Sequence, residues 1–534
     1  MKIVVAEKIS KKGVELLREE TKWRVVETEP AREKLLPELK DADALLIRSA
    51  VKADAALLES APKLQVIGRA GIGVDNVDIE AATRKGVLVM NTPGGNSVSV
   101  AEHTIALTLA MARGVARANE SMHAGKWEKK IFEGRELRGK TLGLIGLGRI
   151  GVEVVKRARA FELEILAYDP YVPPLVARDL NVAMVSLEEL FSRSDYISLH
   201  TPLTAETDRI INAQNLLKMK KGVRIVNCAR GELIDEAALA EAIRSGQVAG
   251  AALDVFAVEP PKDSPLLGLP QALLTPHIAG STAEAQEIVG YRIAEQVRDY
   301  LKQGIILNAV NMPAIPAEEY RALRPYLDLA ERLGLFLAQI ISGAAATVEI
   351  RYSGKLSQMN TNLVRNAVLK GLLNHILDEK ANIVNAVAIA EARGIRIQET
   401  RVQRTQFIDS IRVGLKSDGQ ESSAEGTILH GTEPRLLAFD NINVECPLEG
   451  NLVVLKNWDV PGVIGKIGTI LGKRGLNIAN FSLGRERRSR GKGSKKPVGA
   501  VCVVQVDGNV LPAVVAELSK IPANTFSRLV ELES

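Results

Sequence analysis

Three polar side chains, Arg230 in NCARGELID, Glu259 in DVFAVEPP and His277 in TPHIAG, each follow a short apolar run, where the end of a buried strand would present them to a cleft. Their types fit one chemistry. Oxidising a 2-hydroxy acid by hydride transfer needs a base for the hydroxyl proton, a cation for the carboxylate and a nicotinamide for the hydride. Histidine titrates near neutral pH, and a carboxylate on its other ring nitrogen would fix the tautomer and stabilise the imidazolium. An arginine fork can hold a carboxylate through two bonds and polarise the neighbouring carbonyl. Taken singly, each also reads as an ordinary loop histidine, a surface arginine or a glutamate before a proline turn.

A nicotinamide needs a dinucleotide site, and the stretch TLGLIGLGRIG from Thr141 to Gly151 supplies the pattern for one. An apolar strand meets Gly146-x-Gly148-x-x-Gly151, and a helical pattern follows from Ile150 through Ala160. Gly146 permits a tight turn, Gly148 lets the backbone approach a pyrophosphate, Gly151 lets helix and strand pack closely, and the helix start offers N–H groups and a positive dipole end. A second apolar run, Leu163 to Tyr168, ends in Asp169. That is near the offset of about 20 residues at which an acidic side chain takes the ribose hydroxyls. A carboxylate there repels a 2′-phosphate, so the expected cofactor is NAD rather than NADP.

These pieces must be held by α/β elements, and the chain alternates accordingly. From Lys2 to Thr92, runs such as KIVVAE, WRVVET, ADALLIRS, LQVIGRA and VLVMNT are separated by helical stretches, which predicts a parallel sheet before the dinucleotide motif begins. One long helix is expected from Asn96 to Trp127, capped by Asn96 or Ser97. After the motif, DYISLH, GVRIVNCARG, GAALDVF and ALLTPHIAG read as later strands of a doubly wound sheet, and a helix from Thr282 to Lys302 is expected to cross back to the first lobe. Asn311, Pro313 and Pro316 mark a linker to an α+β module, and the last segment reads as βαββαβ, a ferredoxin-like layout. The expected fold class is α/β: a two-lobed catalytic unit with a Rossmann-type sheet, followed by the two α+β modules. The expected divisions are 1–96 with 282–312, 97–281, 317–450 and 451–534.

Composition agrees and excludes several classes. With 534 residues, 46% hydrophobic and 25% charged, the chain can bury substantial cores. No signal-peptide pattern opens it and no run of about eighteen apolar residues occurs, so a cytoplasmic protein without membrane partners is expected. Three dispersed cysteines suit neither a disulfide framework nor a metal site. A net charge of +5 over this length does not call for nucleic acid. The one dense basic run, Arg485 to Lys496, lacks interleaved aromatics and reads as a solvated hairpin loop.

The motifs GRAGIGVDNVD, MNTPGGNS, GLGRIG, HTPLT, NCARGELIDE, ALDVFAVEPP and TPHIAGST resemble the D-isomer-specific 2-hydroxyacid dehydrogenases over nearly the whole chain. The resemblance implies His277 as acid and base, Glu259 as its partner and Arg230 as anchor of the substrate carboxylate. It implies cofactor contacts at Gly146, Gly148, Arg149, Ile150, Gly151, Asp169, Thr201, Cys228, Ala229, Arg230, Asp254, His277, Ile278, Ala279 and Gly280. The Cys228 thiol itself reads as a small buried apolar group. Among family substrates it points to 3-phosphoglycerate, for which Arg48 and Arg69 at two strand ends, with Asn96 and Ser97 opening a helix, would cradle the phosphate. Position 72 is Ile where some relatives carry Thr, so no side-chain hydrogen bond is made there.

The terminal segment resembles an ACT domain, a small module that commonly binds amino acids. Asp459, Pro461 and Gly462 at its first strand–helix turn, with Asn477 at the next strand, would bind L-serine as an effector. The resemblance implies a homo-oligomer, a tetramer, and an extra regulatory domain between the catalytic unit and the ACT segment. Rival readings are a glyoxylate or hydroxypyruvate reductase of the same family, and a nucleotide-sensing corepressor sharing the fold.

Overall fold

The computed structural model describes residues 1–532 apart from 314, 344, 378–380, 404–408, 418 and 487–497. The first lobe is a 5-stranded parallel sheet of β1 (Lys2–Val5), β2 (Arg24–Glu27), β3 (Ala44–Ile47), β4 (Val66–Arg69) and β5 (Leu88–Met90), in the order β2-β1-β3-β4-β5. β1 and β3 to β5 are buried throughout apart from Arg69 and apolar apart from Lys2 and Arg69, as expected of parallel strands covered on both faces. Arg69 is the last residue of β4 and Arg48 follows β3, so both side chains leave the carboxyl ends of strands, where ligands gather in such sheets.

The second lobe is a 7-stranded parallel sheet of β6 (Thr141–Ile145), β7 (Glu164–Tyr168), β8 (Ala183–Met184), β9 (Tyr196–Leu199), β10 (Val223–Asn227), β11 (Val248–Leu253) and β12 (Ala272–Leu274). Its order, β12-β11-β10-β9-β6-β7-β8, reverses at β6, and the glycine motif leaves the carboxyl end of that strand. Separate apolar cores lie on the two faces, one around Phe191, Leu199, Ile225 and Leu253, the other around Leu144, Val154, Val155 and Tyr196. The expected Rossmann-type sheet is borne out.

Two segments join the lobes. The helix expected from Asn96 to Trp127 is two: Ser97–Arg113 and Val115–His123. Between them Gly114 adopts φ 63°, a left-handed conformation that ends the first helix on its Ala110 carbonyl. The apolar periodicity runs through this point and masks the break, because glycine changes direction without changing hydrophobicity. The helix Ala283–Gln303, capped by Thr282, returns to the first lobe as expected. Its Gly290 lies against Ser10, and Ile293 and Val297 pack where a side chain at Gly68 would stand.

The stretch with Asn311, Pro313 and Pro316 is not a free linker. Asn311 accepts from the Val89 amide at 2.9 Å and donates to the Val87 carbonyl at 2.8 Å, while Met312 and Ile315 are buried. The expected α+β module follows, with helices Ala317–Ile340 and Asn362–Ile376 packed on a 6-stranded mixed sheet. One of its strands, Arg396–Val402, has no counterpart in the sequence reading; being exposed along most of its length, it lacks an apolar signature. The last segment is the expected βαββαβ unit, four antiparallel strands with two covering helices. A single apolar cluster runs from Ile3 and Leu46 through Leu329 and Phe336 to Leu452 and Val530, so first lobe, middle module and terminal module share one core. Lys456 ties the last two by pairing with Asp440 and lying over the Phe439 and Phe526 rings.

The contact between the Lys11–Arg18 helix and the returning helix admits no Cβ: one at Gly290 would land on the Ser10 amide, and one at Gly13 would lie 2.7 Å from the Gly290 carbonyl. Gly290→Ala is therefore expected to destabilise the folded chain by about 1–3 kcal/mol, read as a lower midpoint in denaturant unfolding.

Candidate active site

The glycine motif folds as its spacing requires. Gly146 has φ 99°, and a Cβ there would approach the His200 carbonyl oxygen to 2.5 Å. A Cβ on Gly151 would lie 2.5 Å from the Gly146 carbonyl oxygen, which is the close strand–helix packing expected of that position. Gly148 differs: nothing in the chain lies within 4 Å of a Cβ built on it. Its small size answers no protein neighbour, which fits a backbone left bare for a ligand. The helix Arg149–Arg159 begins there with no side chain capping its first amides, leaving them to an anion. Asp169, at the end of β7, accepts from the Leu147 amide at 2.9 Å and so also shapes the glycine loop. Thr201 closes on the same turn through its amide, and Arg149 reaches over Gly94.

At the carboxyl ends of β10 to β12 the three candidate catalytic side chains are positioned by separate devices. His277 Nδ1 is 2.8 Å from Glu259 Oε2, and both side chains are open to solvent. Donation of the Nδ1 proton to that carboxylate leaves Nε2 as a free base. His277 itself has φ 52°, a backbone conformation that L residues avoid and that surrounding contacts must impose. They come from Asp254, which is fully buried: its backbone carbonyl accepts from the His277 amide at 2.8 Å, and its carboxylate from the Ile278 and Ala279 amides at 2.9 and 2.8 Å and the Thr275 hydroxyl at 2.5 Å. Burial pushes this carboxyl upward, but the His103, Thr275, Ile278 and Ala279 donors outweigh it and hold the group below the usual carboxylate range. Asp254 thus builds the turn on which Ile278, Ala279 and Gly280 lie.

Arg230 donates to the Ala229 carbonyl at 2.7 Å and pairs with Asp75 of the first lobe at 3.1 Å, so it spans the cleft. Arg69 lies in the same electrostatic neighbourhood. Burial first, then the like charge of Arg230, presses its guanidinium below its ordinary pKa, and Arg48 adds to this against Asp75 and Glu7. Its Nε is buried without a partner. Glu7 meanwhile accepts from the amides of Arg48, Ala50 and Val51 and fixes the loop that carries Arg48. Three guanidinium groups converge where carboxylates are too few to balance them, a charge pattern that calls for an anionic ligand.

Asn96 and Ser97 open the Ser97–Arg113 helix. The Asn96 amide fills the space beside Gly280, and no hydrogen bond joins it to Arg48 or Arg69 among the described residues. Asn96 Oδ1 and Ser97 Oγ are buried with no partner. Cys228 is buried with Val100, Leu107, Val226 and Ala279, and burial raises its thiol to about 12, in keeping with an apolar side chain whose main chain does the facing. Asp75 and His103 were beyond sequence reasoning: Asp75 lies in a motif read only for its likeness, and His103 sits on a helix that reads as core.

In the terminal module, Asp459, Pro461 and Gly462 line a cavity of about 270 Å³ together with Asn457 and Arg485. Asn457 Oδ1 is buried there without a partner, and Arg485 pairs with Asp459 at 3.1 Å. Asn477 is not part of this cavity in the single chain; its amide donates to Asp507 at 2.7 Å. The rest of the basic run, from 487 to 496, lies outside the described residues.

Glycine loop, strand-end histidine and paired carboxylate together define a two-lobed dehydrogenase of the Rossmann class. Residues 105–279 match the NAD binding domain of D-isomer specific 2-hydroxyacid dehydrogenases, 322–440 the D-3-phosphoglycerate dehydrogenase intervening domain and 453–523 the ACT domain. The chain is 44% identical to a D-3-phosphoglycerate dehydrogenase of Methanocaldococcus jannaschii over 98% of each protein. It is 43% identical to that of Archaeoglobus fulgidus over the full length of both. A glyoxylate reductase structure from Paecilomyes thermophila, 33% identical, superposes with TM-score 0.53 over 58% of this chain and 98% of that one. The chain belongs to the D-3-phosphoglycerate dehydrogenase family of D-isomer specific 2-hydroxyacid dehydrogenases, and its cofactor is NAD.

His200, whose carbonyl abuts Gly146, offers a test of the loop's burial. Its Nδ1 is shut from solvent without a partner, and burial lowers its pKa from 6.5 to about 4. Between those values the unfolded chain binds more protons than the folded one, so the contribution of neutral His200 is complete above pH 6.5 and is lost as pH falls toward 4. Unfolding midpoints are expected to drop across this window, and less steeply in His200→Gln.

Proposed function

We propose that this chain oxidises D-3-phosphoglycerate to 3-phosphohydroxypyruvate with NAD, the entry reaction to L-serine, and that Arg230, Glu259 and His277 carry it. The observation that supports this most is the His277–Glu259 pair at 2.8 Å beside a cleft with excess guanidinium charge. NAD, when bound, supplies the hydride acceptor, held by the Gly146 to Gly151 loop, Asp169, and the turn from His277 to Gly280. His277 Nε2 takes the C2 hydroxyl proton, and Glu259 stabilises the imidazolium that results. Arg230 holds the substrate carboxylate through its fork and polarises the adjacent carbon–oxygen bond. Arg69, with Arg48 behind it, takes the phosphate. A buried guanidinium Nε without a partner is a cost that a phosphate oxygen removes and that glyoxylate or hydroxypyruvate leaves standing, which argues against those substrates.

The divisions 1–96 with 282–312, 97–281, 317–450 and 451–534 follow as the functional units: substrate lobe, NAD domain, intervening regulatory domain and ACT domain. L-serine is the effector we assign to the Asp459 cavity, its ammonium toward the carboxylate and its carboxylate toward the uncapped helix start after Gly462. Asn477, remote from that cavity in one chain, serves the same ligand if a second copy supplies it, consistent with a homo-oligomer, a tetramer. No helix among the described residues is long and apolar enough to cross a membrane. The cytoplasm is the compartment we assign to the reaction.

Reduced-nicotinamide absorbance with phosphohydroxypyruvate, hydroxypyruvate and glyoxylate in parallel tests the substrate. The phosphorylated substrate is expected to be preferred, and Arg69→Ala to raise its KM about 10- to 100-fold; equal turnover of glyoxylate would assign the reductase activity instead. His277→Gln is expected to lower kcat by about 10²- to 10⁴-fold. L-Serine is expected to slow the wild-type chain while leaving Asp459→Ala at its serine-free rate; identical response of both would remove the effector assignment.

A further inference from the structure

We propose that His103 is a positioning residue for hydride transfer, acting through Thr275 and Asp254 on the turn that carries His277; the inference rests on the reading of His277 as acid and base. His103 lies on the Ser97–Arg113 helix, outside every motif that marks the site. Its Nε2 is 3.1 Å from Thr275 Oγ1 and 3.4 Å from Asp254 Oδ1. The Thr275 hydroxyl has one proton, and at 2.5 Å from Asp254 Oδ1 it donates that proton to the carboxylate. The contact with His103 is then satisfied only by donation from Nε2, which fixes where the ring carries its hydrogen.

The chain of bonds continues to the reacting group. The Asp254 carboxylate accepts from the Ile278 and Ala279 amides, and its backbone carbonyl from the His277 amide, while His277 also bonds the Thr275 carbonyl at 3.1 Å. His277 is thereby held at φ 52°. A conformation that unfavourable persists only while its surroundings over-determine it. Asp254 keeps two amides and a hydroxyl on its carboxylate only while that carboxylate does not rotate, and His103 is the further donor, reaching Oδ1 from the helix side. Being rooted in the Ser97–Arg113 helix, which packs on the second sheet, His103 also gives the turn a reference outside the loop to which it belongs.

The test uses the full-length chain with NAD and D-3-phosphoglycerate, unlabelled and deuterated at C2. His103→Phe keeps an aromatic ring and removes the donor; His103→Gln keeps a donor of similar reach. His103→Phe is expected to lower kcat about 10- to 100-fold, as a displaced reacting group does, to raise the deuterium isotope effect on kcat, and to leave KM for NAD within about twofold. His103→Gln is expected to recover most of the loss. A kcat for His103→Phe within about twofold of wild type, or equal impairment of both variants accompanied by equal loss of thermal stability, overturns the positioning role. Should His103→Phe fail to fold, Thr275→Val removes the same link from its other end, and an unchanged kcat there overturns the role as well. His277→Gln is run alongside. If it lowers kcat about 10²- to 10⁴-fold while His103→Phe stays within about twofold of wild type, only the positioning role falls; if it leaves kcat within about twofold of wild type, the acid–base reading falls and takes the positioning role with it.

Discussion

A carboxylate with no access to water sets the geometry of this molecule's cleft. Asp254 ends β11, a strand with no polar side chain of its own, and an ion in such a place survives only with its lone pairs filled. The donors that fill them are the Thr275 hydroxyl, the Ile278 and Ala279 amides and His103. Satisfying the buried charge therefore forces the chain after β12 into a single tight turn, and that turn puts His277 within reach of Glu259. The desolvation cost of one group is converted into the placement of another.

The opposite lobe uses charge in the other sense. Arg48, Arg69 and Arg230 are brought together from two lobes, and Asp75 and Glu7 only partly balance them. Glu7 contributes by holding backbone amides rather than by pairing with a guanidinium, which keeps the cluster net positive. Such a cleft favours an anionic substrate when the lobes are together, and the Arg230–Asp75 pair shows the lobes already in contact across it. Carboxylate and phosphate at opposite ends of one small molecule suit that arrangement, because each end then neutralises cations rooted in a different lobe.

The two appended modules are not loosely tethered. The apolar cluster that begins under the first sheet continues through the middle module into the terminal one, and Met312 and Ile315 belong to it. Gln339 exchanges two backbone bonds with Glu531, and Lys456 is shared between Asp440 and two aromatic rings. The terminal module is thus joined to the first lobe through packed side chains of the middle module.

What the sequence determined by itself was everything carried by local pattern. Alternating apolar runs specified both parallel sheets, the three glycines specified the dinucleotide turn, and strand-end placement singled out Arg230, Glu259 and His277, because each signal resides within a few consecutive residues. Continuity in the pattern also misled: Gly114 broke a helix without altering its polarity, and the prolines at 313 and 316 marked a linker without showing that Met312 and Ile315 beside them are buried. The tertiary structure alone decided which distant groups meet. It set Asn96 beside Gly280, left Asn477 out of the Asp459 cavity, joined Arg230 to Asp75, and set His103 against Asp254. Those relations depend on how sheets and helices stack, and a side chain's neighbour across a fold leaves no trace in the residues beside it in sequence.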